Sequence, residues 1–405
     1  MNSYDFLNLK TPSFILDPVE FDRGINTFEN ALKKYWPNYK IGYSVKTNQL
    51  PWLIKRINLL GHYIEVVSTD EYQLAQILGT DDKKIIYNGP IKTISTFFDA
   101  LYEQSIVNID SSRELDWIIE ADKKLDEDKS KALYKIGIRV NFDLYEALGK
   151  EKNNNDFSRF GFSYENGDLK KVITRISNLN HYKISGLHCH FSTKDRAVKN
   201  YQMIARKIGE IAEEYSLSLD YVDIGGGFYG GLPNKPSFNQ YLEVIAKELS
   251  QYFSPLNTSL IVEPGTSILS KPFKYISRVV DVKEIQGKTI VVIDGSRTDI
   301  DPLMSKSNYM LDFSSKSNSK TTINEQVIVG FTCMELDRIT TLNDSVKLSV
   351  NDILVFNNIG AYTMCLSPNF IQYGTVVYFK ENNQYRMIRD KIDINEYIKM
   401  NGGIK

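Results

Sequence analysis

The chain has 405 residues, 42% apolar and 24% charged, with a formal net charge of −1. This is an ordinary globular composition, long enough for two domains, and it offers no basic field for nucleic acid or an anionic membrane surface. Three scattered cysteines, Cys189, Cys333 and Cys365, exclude a disulfide framework and point to a reducing, cytoplasmic setting.

The N-terminus lacks the basic-then-apolar pattern of a signal peptide, and no window approaches a spanning helix, so no membrane partner is expected. From about residue 25 to 265, short β-branched or aromatic runs alternate with helical patterns. The runs are YKIGYSV (39–45), YIEVV (63–67), KIIYN (84–88), SIVNI (105–109), YKIGIRVN (134–141), KISGLHCH (183–190), YVDI (221–224) and SLIVE (259–263). Helical spacing follows them, as in DEYQLAQIL, SSRELDWIIEADKKL and YQMIARKIGEIAEEY. Eight such units predict an α/β fold, a (β/α)8 TIM-type barrel over 25–265, although a doubly wound open sheet fits the same alternation. The Asn-rich stretch 150–162 reads as a long loop after the fifth strand, on the face that usually serves a site.

Beyond residue 266 the runs FKYISRVVDVKEI, KTIVVIDG, EQVIVGFTC, DILVFNN and VVYFKENNQYRMIRD are strand-like, with turn signals between them. A C-terminal all-β domain is predicted over 266–405, completed by residues 1–24. Its helical content is limited to a turn near 367–372, and 305–322 reads as a low-complexity surface loop.

In a barrel, reacting groups sit at the C-terminal ends of the strands. Those positions hold Lys46, Glu65, Ser68, Asn88, Asp110, Arg139, Asn141, His188, His190, the triplet Gly225-Gly226-Gly227, and Glu263-Pro264-Gly265. The triplet reads as an anion cradle that opens a helix after strand seven. His188 and His190 are expected to face opposite ways, one into the barrel and one outward, which sets aside a metal shared between them; no metal is expected. A carboxylate such as Glu263 at the end of an apolar strand needs a cationic or donor partner. Pyridoxal phosphate would use the set jointly: an amine for its aldehyde, a cradle for its phosphate, a flat partner for its ring and an acid for its ring nitrogen.

Six motifs then resemble those of the fold-type III pyridoxal-phosphate decarboxylases, the ornithine/diaminopimelate decarboxylase family. They are YSVKTN, GLHCHFST, DIGGGF, EPG, GFTCMELD and NIGAYT, in family order from residue 41 to 363. The resemblance implies that Lys46 binds the cofactor as a Schiff base, Glu263 pairs with the ring nitrogen and His190 stacks on the ring. Glu65 and Arg139 would flank it, with Glu71 nearby. Gly226, Gly227, Gly265, Thr193 and Tyr362 would hold the phosphate, next to Thr266. Cys333 would enter the partner subunit's site to protonate the substrate carbon, which implies a head-to-tail homodimer.

The departures bear on substrate. Thr266 and Asp301 stand where diaminopimelate-specific members have arginines, so a distal carboxylate would depend on Arg297 or Arg338. Ornithine-type members have an aspartate directly after the cysteine. Here that residue is Met334, with Glu335 and Asp337 displaced from it and Asp294 matching another family acid. The expected substrate is an ornithine-like or N-modified basic amino acid, the candidate being N-citrylornithine from rhizoferrin-type siderophore biosynthesis. Ornithine, lysine or meso-diaminopimelate are the alternatives, ahead of an amino-acid racemase or an inactive regulatory homologue.

Overall fold

A computed structural model describes residues 6, 8–151, 157–191, 195–230, 232–314, 321–382 and 384–403. The chain divides into two compact units, one formed by residues 25–267 and the other by residues 1–24 and 268–405. The strands, in chain order, are β1 (Ser13–Leu16), β2 (Tyr39–Ser44), β3 (Tyr63–Val66), β4 (Ile85–Tyr87), β5 (Ile106–Ile109), β6 (Tyr134–Asn141), β7 (Phe162–Ser163), β8 (Tyr182–His188), β9 (Tyr221–Asp223) and β10 (Ser259–Val262). They continue with β11 (Phe273–Ile285), β12 (Lys288–Ile293), β13 (Met310–Ser314), β14 (Thr322–Val329), β15 (Arg338–Val346), β16 (Ile353–Asn357), β17 (Val376–Glu381) and β18 (Gln384–Arg389).

In the 25–267 unit, β2, β3, β4, β5, β6, β8, β9 and β10 pair in that order, all parallel, and β10 returns to β2. The ring is closed, so the predicted barrel holds and the open-sheet alternative falls. β7 pairs with Val140 and Asn141 at the C-terminal end of β6. Several helices between the strands start on side-chain caps, as at Ser68 and Thr93, and Ser111 with Glu114 and Ser237 with Gln240 form complete capping boxes. Inside the barrel, Ile86, Tyr221 and Ile261 pack together. Gly137 on β6 and Gly186 on β8 make room for the Tyr221 side chain, because a methyl group at either position would overlap it.

The other unit is one nine-stranded sheet in the order β15-β14-β12-β11-β1-β17-β18, with β16 also on β11 and β13 on β16. β11 changes partners at a bulge between Val279 and Asp281: Lys274–Arg278 pair with β16, and Val279–Ile285 with β12. Its core includes Ile15, Ile276, Ile353, Val355 and Val376. Two expectations for this unit need correction. Met310–Ser314 is a strand on β16 rather than part of a loop, and residues 315–320 lie outside the described residues. No helix forms at 367–372; the C-terminal helix is Ile394–Met400, started by the Asp393 cap. Among the described residues no helix is long and apolar enough to cross a membrane.

Candidate active site

β2 ends at Ser44, which is in register with Glu65 on β3, and one 3-10 turn carries Lys46 just beyond it. Lys46 Nζ therefore reaches Glu65 Oε2 at 2.7 Å, with its side chain 34% exposed and that of Glu65 buried. Asn88, one residue past β4, donates to Glu65 Oε1 at 3.2 Å and to Glu263 Oε1 at 2.6 Å. Its own Oδ1 accepts from Asn108, whose Oδ1 accepts from Tyr221. A chain of hydrogen bonds thus runs up the barrel interior and ends on two carboxylates.

Glu263, just past β10, and Asp223, the last residue of β9, are both buried. Burial first, then the charges of Asp223 and Glu65, raise the Glu263 carboxyl well above its usual range. Burial likewise lifts Asp223 to about 7, against a hydrogen bond from Gly225 N–H. Glu71 reaches about 7 by burial while accepting from the Val67 amide. Three buried carboxyl groups, Glu65, Asp223 and Glu263, thus lie near one lysine, and a cationic ligand among them would favour their ionised forms.

The expected divergence of His188 and His190 does not hold. Residues two apart on a pleated chain share a side, and both histidines feel the charges of Lys46 and Arg139. His188 Nε2 lies 3.9 Å from Glu263 Oε2. His190 Nδ1 accepts from Gly226 N–H at 3.2 Å, which requires a bare nitrogen there. Burial, then Lys46 and Arg139, push His190 down to about 3, so its ring is neutral at physiological pH. Among the described residues, the side chains of His188, Asp223 and Glu263 converge on one point, as do those of Asp122, Asp126 and His181 elsewhere; His190 belongs to neither group.

The glycine triplet needs a second correction, because it opens no helix: the next one is Phe238–Leu249. Its glycines are required for other reasons. Gly225 and Gly227 have φ of 65° and 89°. A methyl at Gly225 would strike the His190 ring, and one at Gly226 would strike the Glu263 carbonyl oxygen. Gly265 leaves similar room for Thr47, and Thr266 begins the short helix Thr266–Leu269. Thr193 lies outside the described residues.

Arg139 on β6 pairs with Asp110 at 2.8 Å and stacks on Phe160 at 4.5 Å. Asp110 also accepts from Gly161 N–H, so the 157–161 stretch joins this rim. Next to it, Lys92 is fully buried and gives its ammonium to Glu114 Oε1, Gly89 O and Asn108 O. Sequence reasoning missed Lys92, Glu114, Asn108, Tyr221 and Asp223. The signals were faint: glycines inside β6 and β8, and an acid within the apolar run YVDI.

In the sheet unit, Cys333 is exposed, and Tyr362 is 40% exposed with φ of 54°. The acids read as substrate contacts have partners of their own. Asp294 accepts from Ser277 Oγ, Arg278 N and Thr11 Oγ1. Asp337 accepts from Ser296 Oγ, Arg297 N, and Thr332 N and Oγ1, tying down the chain next to Cys333. Asp301 takes Arg297 Nε and Nη2 at 3.2 and 3.1 Å, together with Tyr309 and two backbone amides. Glu335 is largely exposed and pairs with Arg338.

A family model described as the pyridoxal-binding domain of pyridoxal-dependent decarboxylases matches residues 21–270. Diaminopimelate decarboxylase of Aquifex aeolicus is 26% identical over 375 residues, covering 89% of this chain and 85% of that protein. A probable ornithine decarboxylase of Dictyostelium discoideum is 24% identical over 393 residues, covering 88% and 78%. The crystal structure of diaminopimelate decarboxylase from M. jannaschii with L-lysine superimposes with a TM-score of 0.84 at 21% identity, covering 96% of this chain and 92% of that one. At that identity the last comparison supports the fold.

Proposed function

The chain belongs to the pyridoxal-dependent decarboxylases, and on that premise we propose that it removes the α-carboxyl group of an ornithine-like amino acid modified at its distal nitrogen, with N-citrylornithine as the candidate. The observation that carries this reading is the mutual engagement of Arg297 and Asp301. Arg297 spends Nε and Nη2 on Asp301, Nη2 again on Lys306 O and Nη1 on Arg338 O. Arg297 therefore has no fork left over for the distal carboxylate of diaminopimelate. Asp294, Asp301 and Asp337 are likewise committed, which disfavours the bare distal ammonium of ornithine or lysine. An acylated nitrogen carries no ammonium. Arg196 and Lys235 lean on Tyr229 in the glycine-rich turn, at 5.3 and 4.9 Å, and would supply cations for citryl carboxylates.

The residues present fit pyridoxal phosphate, as two observations indicate: the acid excess around Glu263, and the close turn at Gly225–Gly227 that any side chain would fill. When bound, this cofactor supplies an electron sink for the pair left by a departing carboxylate. Lys46 would hold it through its amine, which Glu65 orients from 2.7 Å. Glu263 would meet the ring nitrogen as a carboxylate, and the neutral His190 ring offers a flat face without charge repulsion. The Gly225–Gly227 turn and Gly265 would hold the phosphate, and Arg139 stays fixed by Asp110 beside the ring. Cys333 would deliver the proton that replaces the carboxyl group, acting in the partner subunit of a homodimer.

The test is carbon dioxide release from N-citrylornithine and other N-acylated ornithines, ornithine, lysine and diaminopimelate. The expected result is preference for an N-acylated ornithine. Preference for diaminopimelate would overturn the argument from Arg297, and preference for free ornithine or lysine would restore the simpler alternative.

A further inference from the structure

His188 ends β8 with its side chain buried, and neither ring nitrogen meets a hydrogen-bond partner among the described residues. Its register partner on β9 is Asp223, fully buried, whose Oδ2 is equally unmet while Oδ1 accepts from Gly225 N–H. Glu263 completes the group, with Oε2 3.9 Å from His188 Nε2. One side-chain nitrogen or oxygen from each of the three lies within 4.8 Å of the others. Buried polar atoms are seldom left unpaired. Here both nitrogens of a base and one oxygen of an acid are unpaired beside a second acid, Glu263, which marks a place where a proton changes hands.

We propose that His188 is the proton partner of the Glu263–Asp223 pair: its Nε2 accepts the proton held by these acids, so that both are carboxylates when a cationic ring nitrogen sits at Glu263. The inference rests on the role given above to Glu263. The transfer balances internally. An O–H bond at Glu263 breaks, its electron pair stays on the carboxylate, and an N–H bond forms at His188 without exchange with solvent. Two carboxylates then face two cations, the imidazolium and the ring nitrogen, and the buried set is neutral. A closing of roughly 1 Å between Nε2 and Oε2 gives an ordinary hydrogen bond.

The surroundings set the direction in each state. The groups facing this cluster are Lys46 after β2, Glu65 on β3, Arg139 on β6, Lys92, and His190. Without a ring nitrogen, burial and then the cations Arg139 and Lys46 hold His188 well below its usual value, while Glu263 is held well above its own. The proton therefore sits on the acids. A positive charge at Glu263 favours the carboxylate, and two adjacent carboxylates favour the imidazolium. His188 acts through Glu263, which makes it a positioning residue.

The test uses the full chain labelled with nitrogen-15 in its four histidines, His62, His181, His188 and His190. Ring-nitrogen spectra are recorded at one pH with and without pyridoxal phosphate. The His188 signals are assigned by their loss in His188→Gln, or through the residue's own backbone amide should that variant fail to fold. His188 is expected to pass from a neutral ring, with one protonated and one bare nitrogen, to an imidazolium on cofactor binding, and to stay neutral in cofactor-treated Glu263→Gln. The same protonation state with and without cofactor, or an imidazolium in Glu263→Gln, would overturn the proposal. A second readout is cofactor affinity against pH. His188→Gln must release the proton to solvent, so its affinity should climb by up to about tenfold per pH unit where the wild type is flatter. Equal slopes would overturn the proposal as well. A different amino acid emerging as substrate would refute the substrate reading and leave these spectra unmoved.

Discussion

Asn88 holds Glu263 with a 2.6 Å hydrogen bond while its other amide hydrogen serves Glu65 at 3.2 Å. One neutral side chain thereby fixes the spacing of two buried acids that would otherwise repel each other. Replacing it by Leu, of similar size, leaves acceptors on both acids and a donor on Asn108 unmet. The expected loss is about 1–3 kcal/mol for each group left unsatisfied. Urea unfolding of Asn88→Leu against the wild type measures it, and an unchanged midpoint would refute the role.

Lys46 places its amine 2.7 Å from Glu65 and partly exposed, in position to bond an aldehyde, and Lys46→Ala is expected to show no visible band of lysine-bound cofactor. The wild-type band should vanish on borohydride treatment. Activity should fall by about three orders of magnitude or more, the scale seen when a covalent catalyst is removed.

If Cys333 serves the partner's site, neither Lys46→Ala nor Cys333→Ala is active alone, but mixed subunits recover one intact site per heterodimer. Random assortment in an equal mixture then gives about a quarter of wild-type activity. Refolding the two variants together and assaying carbon dioxide release decides it; no rescue means that Cys333 acts within its own subunit or not at all.

Arg297 and Asp301 stand or fall together. Arg297→Met strands a carboxylate that is 3% exposed, and breaking such a pair costs about 3 kcal/mol or more. Adding Asp301→Leu should recover most of that stability in a chemical denaturation experiment. Neither variant should gain activity on diaminopimelate.

His181 predicts a pH dependence of stability. It is buried between Asp122 Oδ1 at 3.0 Å and Ser130 O at 3.1 Å, two pure acceptors, so both contacts are hydrogen bonds only when the ring is doubly protonated. Burial lowers its pKa, but the Ser130 carbonyl and Asp122 outweigh that and the net shift is upward. A raised folded value means that the stabilisation is complete below the unfolded value of about 6.5 and lost as pH rises through the folded one. Denaturant midpoints should therefore decline across that window in the wild type, and His181→Gln should remove the decline.

The barrel was legible because its signal is local and repeated. Eight apolar runs, each followed by a helical pattern, leave few other ways to bury the same surface, and YKIGIRVN at 134–141 matches β6 residue for residue. The rim residues were legible for the same reason, since a strand's end can be located once the strand is. Less legible was anything set by one or two hydrogen bonds. The Asp393 cap makes a helix at 394–400, whereas nothing in the pattern around 367–372 was strong enough to hold one. The pairing of Met310–Ser314 with β16 depended on a distant partner, Ile353–Asn357.

By itself, then, the order of residues determined the eight strand–helix units, the strand-rich remainder and which side chains end the strands, because hydrophobic periodicity and strand ends are properties of neighbours along the chain. Closure needed the pairing of β10 with β2. Only the tertiary structure decided how those side chains are charged and paired. It put His188 and His190 on one side, joined Asn88 to two acids, buried Asp223 behind Glu263, and spent Arg297 on Asp301. Those relationships arise between groups far apart in sequence, where burial removes water and makes each carboxylate answer to whatever charge or donor the fold has brought beside it.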